Sequence, residues 1–212
     1  MNNKETTRNQ WKIVSGGQTG VDRAGLVAAM GAGLPFGGWV PNGRRAEDGV
    51  VPAEFNTMRE SRSSGYRWRT RANVADSDAT LILADALPLT GGTFFTAQVA
   101  EELRKPCKVV CLAEANAVAQ IRDWMHSLED TVRQGNPGQI VLNIAGPRES
   151  KAPGIFERAR RVLEEVFADF GNEGFQYPIE GADDTELMAA ESAEPYDAGG
   201  AKPAAPNTEK KE

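Results

Sequence analysis

Three glycine-bearing loops constrain the fold of this chain more than any other feature. They are residues 16–20 (GGQTG), 90–93 (TGGT) and 146–151 (GPRESK), and each lies between an apolar run and a segment with helical spacing. In a parallel sheet, loops that leave strands and enter helices all lie along the carboxyl edge, where such folds bind ligands. Each helix start also offers unpaired backbone N–H groups and the positive end of a dipole. The loops therefore predict a concave seat for a phosphorylated small molecule.

Apolar runs and amphipathic segments alternate along the chain. The pattern predicts strands over 11–15, 35–40, 79–84, 108–112 and 139–145, and helices over 21–30, 93–105, 115–129 and 153–170. It also predicts a short helix over 52–60 and an exposed or edge strand over 65–70, where side chains alternate. Because the central strands are continuously apolar, we expect an α/β domain whose parallel sheet is covered by helices on both faces.

Composition divides the 212 residues into three parts. Residues 173–212 contain ten acidic residues and three lysines, and few apolar anchors, so they predict a disordered acidic tail. Residues 1–9 are polar and predict a flexible N-terminus, which leaves 10–172 as a single domain; residues 1–172 together have a net charge of about +1. No membrane span or signal peptide is apparent. Cys107 and Cys111 suit neither a disulfide nor a metal site and are expected to be buried in a cytoplasmic protein.

The first loop matches neither common nucleotide motif. The chain contains no GxxxxGK[ST], and its nearest approach to a dinucleotide fingerprint, residues 31–33, falls at a predicted helix end. The loop does offer close backbone approach, the side chains of Gln18 and Thr19, and Asp22 in the first helical turn. Two interpretations remain open: a ligand-binding loop, or a tight turn in which Asp22 serves the helix N-terminus.

The other two loops differ in how strongly they indicate a ligand. In the second loop, residues 90–93, a role as helix N-cap would by itself account for Thr93, so this loop is compatible with a ligand site or with a simple cap. In the third loop, Arg148, Ser150 and Lys151 bring a guanidinium, a hydroxyl and an ammonium together, which suits an oxyanion. An exposed basic loop is the alternative interpretation.

Five arginines and two aromatic residues between 59 and 71 could suggest nucleic-acid binding. A net charge near +1 over residues 1–172 and an acidic tail argue against that class of partner, so nucleic acid is not expected to bind. Guanidinium groups that line a small-ligand pocket, or that pair across a subunit interface, fit better. His126 is the single histidine, and no catalytic partner motif accompanies it.

Several ordered motifs together carry a family resemblance. The chain resembles the molybdenum cofactor carrier proteins, which form a circularly permuted YpsA-like branch of the SLOG superfamily of Rossmann-like domains. The resemblance spans about residues 11–170, and the motifs that carry it are 13–25 (IVSGGQTGVDRAG), 38–44 (GWVPNGR), 46–49 (AEDG), 73–78 (NVADSD), 90–93 (TGGT) and 142–150 (LNIAGPRES).

This resemblance implies a Rossmann-like domain, a homo-oligomer such as a dimer or tetramer, that holds the molybdenum cofactor. It would protect this small anionic ligand, a pterin with a terminal phosphate, until delivery to a molybdoenzyme acceptor. No catalytic residue and no metal site of protein ligands are predicted. The predicted ligand-binding residues are Gly16, Gly17, Gln18, Thr19, Gly20, Asp22, Arg44, Asp78, Thr90, Gly91, Gly92, Thr93, Gly146, Arg148, Ser150 and Lys151.

Two other functions stay open. The superfamily includes phosphoribohydrolases, whose PGGxGTxxE motif places a catalytic Glu three residues after the Thr. Here Thr96 stands at the position of that Glu, and Gly91-Gly92-Thr93 is shorter than the motif because it lacks the intervening residue before the Thr, although Asp22 or Glu47 could supply the acid. The third possibility is a nucleotide sensor that binds its ligand without chemistry.

Overall fold

A parallel sheet forms the centre of the computed structural model, which describes residues 11–133 and 138–171. Among these residues its six strands have the order β5-β2-β1-β8-β6-β7, and every pair is parallel. The strands are β1 (Trp11–Val14), β2 (Phe36–Val40), β5 (Met58–Glu60), β6 (Ala79–Ala84), β7 (Cys107–Cys111) and β8 (Ile140–Ala145). A separate antiparallel hairpin, the β3–β4 hairpin, consists of β3 (Arg45–Ala46) and β4 (Gly49–Val50).

The helices form two layers. The first contains α1 (Val21–Gly31), α4 (Ala117–Arg133) and α5 (Ile155–Phe167), in which α5 packs against both others; the second contains α2 (Tyr66–Ala75) and α3 (Gly91–Glu102). Short 3₁₀ turns cover Asn42–Arg44 and Glu149–Lys151. In α5 the buried residues recur at helical spacing, as in Ile155, Ala159 and Leu163, so one stripe faces the core. The Rossmann-like α/β fold is confirmed.

Strand order brings the three glycine loops together. They follow β1, β6 and β8, and β8 lies directly between β1 and β6. From this centre the chain continues outward to β2 and β5 on one side and to β7 on the other. A reversal of strand order in an open α/β sheet opens a crevice at the carboxyl edge. The predicted site therefore lies where the topology favours ligand binding.

Two predicted elements are wrong. Residues 52–60 form turns followed by β5, because Met58 and its neighbours pair with Gly38–Val40 at the sheet edge. Residues 65–70 belong to α2, not to a strand. In this helix Trp68 packs edge-to-face on Trp39 at 5.5 Å, and Arg69 and Asn73, one helical turn apart, bond to Asp22 and to the Trp39 backbone.

Smaller predictions also changed. The N-cap of α3 is Thr90 rather than Thr93, and its side chain makes no capping bond. Cys107 is exposed and Cys111 half-buried, both as free thiols, so their predicted burial is wrong because β7 is an edge strand. Residues 1–9 and the 173–212 tail lie outside the described residues. Within the described part, no helix has the length and apolar character that a membrane span requires.

Candidate functional site

A cavity of about 640 Å³ opens at the carboxyl edge between the three glycine loops and α2. This volume is in the range of small-molecule and cofactor sites. Ten of the predicted ligand-binding residues line it: Gly16, Gln18, Asp22, Thr90, Gly91, Gly92, Thr93, Gly146, Arg148 and Lys151.

A buried ion pair joins the first loop to α2 at this cavity. Arg69 Nη1 donates to Asp22 Oδ2 at 2.8 Å, and the two side chains are 12% and 7% exposed. The Arg69 guanidinium lies over Gly16, where a Cβ atom would stand 1.3 Å from Nη1. Only glycine at position 16 leaves room for this arrangement.

The charge of Asp22 is set by opposing effects. Burial raises the pKa of the Asp22 carboxyl above its ordinary value, whereas Arg69 and the backbone N–H groups of Gln18 and Gly16 act in the opposite direction. Asp22 is thus a buried acid in contact with the cavity, held by a single arginine.

The backbone amides of the first loop are mostly engaged within the protein. Gly17 N donates to Ser15 Oγ at 3.2 Å, Gln18 N to Asp22 Oδ2 at 3.4 Å, and Thr19 N to Gln18 Oε1 at 3.0 Å. Gly17, Thr19 and Gly20 are absent from the cavity lining. The loop therefore works mainly as a compact turn whose Gly16 and Gln18 contact the cavity.

The second loop is open by comparison. Thr90 makes no side-chain capping bond, and the amides of Gly91, Gly92 and Thr93 donate to no acceptor among the residues described. A Cβ atom at Gly91 or Gly92 would meet nothing within 4 Å, so the helix start is accessible. Amides of this kind at a helix N-terminus, together with the positive end of the helix dipole, have the chemistry to bind an anion at the cavity wall.

The third loop divides its polar groups between two directions. Arg148 and Lys151 line the cavity, but Ser150 bonds to Glu47 of the β3–β4 hairpin through both its amide (3.1 Å) and its hydroxyl. Arg148 Nη1 lies 3.4 Å from Glu47 Oε2. In the part of the chain that the structure describes, the Lys151 ammonium has no hydrogen-bond or ion-pair partner.

Glu47 connects the first and third loops. Its carboxylate also accepts a close hydrogen bond from Thr19 Oγ1. Burial alone would raise its pKa, but the hydrogen bonds from Ser150 and Thr19, with the Arg148 charge, hold the pKa of Glu47 below its ordinary value. Glu47 is therefore an ionised carboxylate that joins the first loop to the third loop through hydrogen bonds.

Two predicted site residues lie elsewhere. Asp78 precedes β6 at the amino edge of the sheet, where its carboxylate accepts the Val141 amide at 2.8 Å. The Arg44 guanidinium donates to the carbonyl groups of Val51, Pro52 and Phe55 and so braces the segment before β5. Both contacts are structural.

The sequence analysis did not single out several lining residues, most importantly Arg69, Asn73, Asp85 and Asn143. Asn143 is a polar residue inside a buried strand, and its Nδ2 donates to Thr80 Oγ1 at 3.3 Å. That interruption of an apolar run was a readable signal. Arg69 could be assigned only to an arginine-rich segment, because the choice among its five arginines depends on the helical phase of α2.

Comparison with known proteins gives one family and one solved structure. Residues 13–167 match the family described as "Circularly permutated YpsA SLOG family". A crystal structure named "Putative molybdenum carrier protein", from Syntrophus aciditrophicus SB, is 41% identical, covers 76% of this chain and 96% of its own, and superimposes with a TM-score of 0.66. None of the curated proteins matches the chain. The match over the whole sheet and all three loops confirms the resemblance: this chain belongs to the circularly permuted YpsA family of SLOG proteins.

Proposed function

We propose that this protein binds, protects and delivers the molybdenum cofactor, which it holds in the cavity at the carboxyl edge. One observation carries the proposal: the amides at the start of α3 and the Lys151 ammonium, all without partners among the described residues, border the same cavity as the Arg148 guanidinium. Backbone amides and fixed cations together are a typical seat for a phosphate group. They would hold the terminal phosphate of the cofactor.

The charge balance of the lining favours an anionic ligand. Each of its two acids is paired with an arginine: Asp22 at 2.8 Å and Asp85 at 2.5 Å. Arg148 has one ion pair at 3.4 Å, and Lys151 has none within the described residues. Positive charge is therefore left over in the lining of the cavity.

Neutral polar groups on the remaining wall suit the pterin. Gln18 uses its Oε1 inside the protein, accepting from Thr19 N and Glu47 N, which directs its amide nitrogen to other partners. Thr70, Thr93 and Asn143 add hydroxyl and amide groups to the same lining. Such groups can bond to the edge of a heterocycle while the loops shield it from solvent.

The name of the structural neighbour supports the carrier role. A second candidate, hydrolysis of a nucleotide N-glycosidic bond, rests on Asp22, a buried acid at the cavity whose pKa is raised by burial. Release of free base by the purified protein, abolished in Asp22→Asn, would support hydrolysis. A nucleotide panel without product would leave the carrier function or a non-catalytic nucleotide sensor.

Native mass spectrometry tests the proposal directly. The protein is offered molybdenum cofactor, with AMP and ADP-ribose as competitors, and the same spectra report the oligomeric state, expected to be a dimer or tetramer. We expect retention of a pterin-sized ligand that neither nucleotide displaces. Retention of a nucleotide instead would contradict the carrier function.

Two variants connect the ligand to the cavity. Arg148→Ala and Lys151→Ala should each weaken binding by about 1–3 kcal/mol, as expected for a lost charged hydrogen bond. Arg161→Ala is the matched control, because Arg161 is 74% exposed on α5 and pairs only with Glu157 among the described residues. Unchanged affinity in both loop variants would remove the third loop from the site.

A further inference from the structure

The β3–β4 hairpin is clamped onto the first glycine loop and α1. Asp48 forms two hydrogen bonds with the guanidinium of Arg23, one at 2.7 Å and one closer, and Arg23 is only 4% exposed. Next to it, the Glu47 amide donates to Gln18 Oε1 at 2.8 Å. The Glu47 backbone and the neighbouring Asp48 side chain thus both hold the hairpin in place, and they position the Glu47 carboxylate.

The Glu47 carboxylate lies among hydrogen-bond donors from the first and third glycine loops. The carboxylate accepts hydrogen bonds from the Ser150 amide at 3.1 Å and from the hydroxyl groups of Ser150 and Thr19. Arg148 Nη1 lies 3.4 Å from Glu47 Oε2. The Glu47 side chain is 17% exposed and that of Arg148 is 45% exposed. The hydroxyls and the amide are fully engaged, whereas Arg148 is held only by an ion pair and also lines the cavity.

We propose that Glu47 acts as an internal competitor for Arg148 and so limits the affinity of the cavity for its phosphorylated ligand. This inference rests on the proposed function, in which Arg148 meets the ligand phosphate. Because Arg148 Nη1 already lies 3.4 Å from the Glu47 carboxylate, a ligand phosphate competes with that carboxylate for the guanidinium. A moderate affinity of this kind suits a protein that releases its ligand to an acceptor.

The competition depends on the charge of Glu47 and not on its shape. Glu47→Gln keeps a carbonyl oxygen for the Ser150 amide, and the Ser150 hydroxyl can reorient to accept from the new amide nitrogen. The hairpin anchor through Asp48 is untouched. The variant therefore removes the competing charge and preserves the junction of the loops.

The test compares the affinities of wild type, Glu47→Gln, Arg148→Ala and the double variant for two probes, molybdenum cofactor and inorganic phosphate. Glu47→Gln should bind both about two- to fivefold more tightly, since a partly exposed ion pair is weak. In the Arg148→Ala background the same change should have no effect. Glu164→Gln, which removes an acid paired with Arg160 on α5, controls for net charge.

The outcomes separate this inference from the proposed function. If the cofactor binds and Glu47→Gln binds it equally or more weakly, the competition is refuted while the carrier function stands. If no variant binds the cofactor but phosphate binds more tightly to Glu47→Gln only when Arg148 is present, the carrier function fails and the competition stands. An equal gain with and without Arg148 overturns the inference. Should Glu47→Gln not fold, Glu47→Ala carries the same comparison.

Discussion

Gly16→Ala should break the buried ion pair between Asp22 and Arg69 at the cavity, although neither charged residue is substituted. Gly16 has an ordinary backbone conformation, so alanine causes no strain in the chain itself. Its Cβ atom would stand 1.3 Å from Arg69 Nη1 and 2.2 Å from Cζ, so the guanidinium must move. The flexible Arg69 side chain can swing into the cavity, but Asp22 then loses the partner that it holds at 2.8 Å.

The magnitude follows from this separation. Opposite charges 2.8 Å apart attract by about 6 kcal/mol at an effective dielectric constant of 20. Desolvation offsets part of that attraction, and removing one partner of a buried pair costs about 3–5 kcal/mol when the other stays charged. Asp22 can take up a proton, because burial already raises its pKa and losing Arg69 raises it further. We therefore expect a loss of about 2 kcal/mol in the free energy of unfolding at pH 7.

The sign of the pH dependence is also determined. The variant leaves an uncompensated Asp22 charge in the folded state, so its disadvantage is greatest above the raised pKa of Asp22 and shrinks as the pH falls through it. Urea unfolding monitored by tryptophan fluorescence between pH 5 and pH 8 measures both effects. Gly31→Ala is the matched control, because a Cβ atom in that helix meets nothing within 4 Å and should be neutral or stabilising.

A double-mutant cycle of Gly16→Ala and Arg69→Ala tests this reasoning. With Arg69→Ala as background, the three atoms nearest to the new Cβ atom at position 16 are gone, since all of them belong to the Arg69 guanidinium, and Gly16→Ala should cost nothing or stabilise by a few tenths of a kcal/mol. If Gly16→Ala costs the same with and without the Arg69 side chain, the ion pair is not the reason for glycine at this position.

Three further predictions concern the contacts that join the β3–β4 hairpin, α1 and the first and third glycine loops. Asp48→Asn should lower the free energy of unfolding by about 3–5 kcal/mol, because Arg23 would keep a buried charge; a loss below about 1 kcal/mol in urea unfolding would contradict this. Gly20→Ala should destabilise by more than about 2 kcal/mol, since φ is 73° and its Cβ atom would stand 2.5 Å from the Pro147 carbonyl oxygen; a wild-type melting temperature would show that the first and third loops can separate at little cost. Glu47, whose pKa is lowered in the folded state, should stabilise the protein at neutral pH, and this contribution is lost as the pH falls through that pKa. The stability difference between wild type and Glu47→Gln, followed by urea unfolding across pH, should vanish there, and a constant difference would argue against an ionised Glu47.

Local signals in the sequence were sufficient for the sheet and its loops. Ala79–Ala84 and Ile140–Ala145 are apolar except for Thr80 and Asn143, because both faces of a central parallel strand are buried, and such runs are readable without any knowledge of neighbours. The motifs around the glycines identified the family for the same reason: they are contiguous. The segment 65–70 shows the limit, because alternating arginine and aromatic residues are compatible with a strand, and only packing on Trp39 and α3 makes it a helix.

The sequence by itself determined the α/β fold, the parallel sheet, the family and the place of the three glycine loops at the carboxyl edge, since each depends on periodicity or short motifs within the chain. Tertiary structure alone decided which groups line the cavity. Ser150 looked like a ligand donor until Glu47, 103 residues away in the chain, engaged it; Asp22 gained Arg69 across 47 residues; Asp78 went to the opposite edge of the sheet. Hydrogen bonds and ion pairs act over a few ångströms, and those distances exist only after the strand order has brought remote segments together.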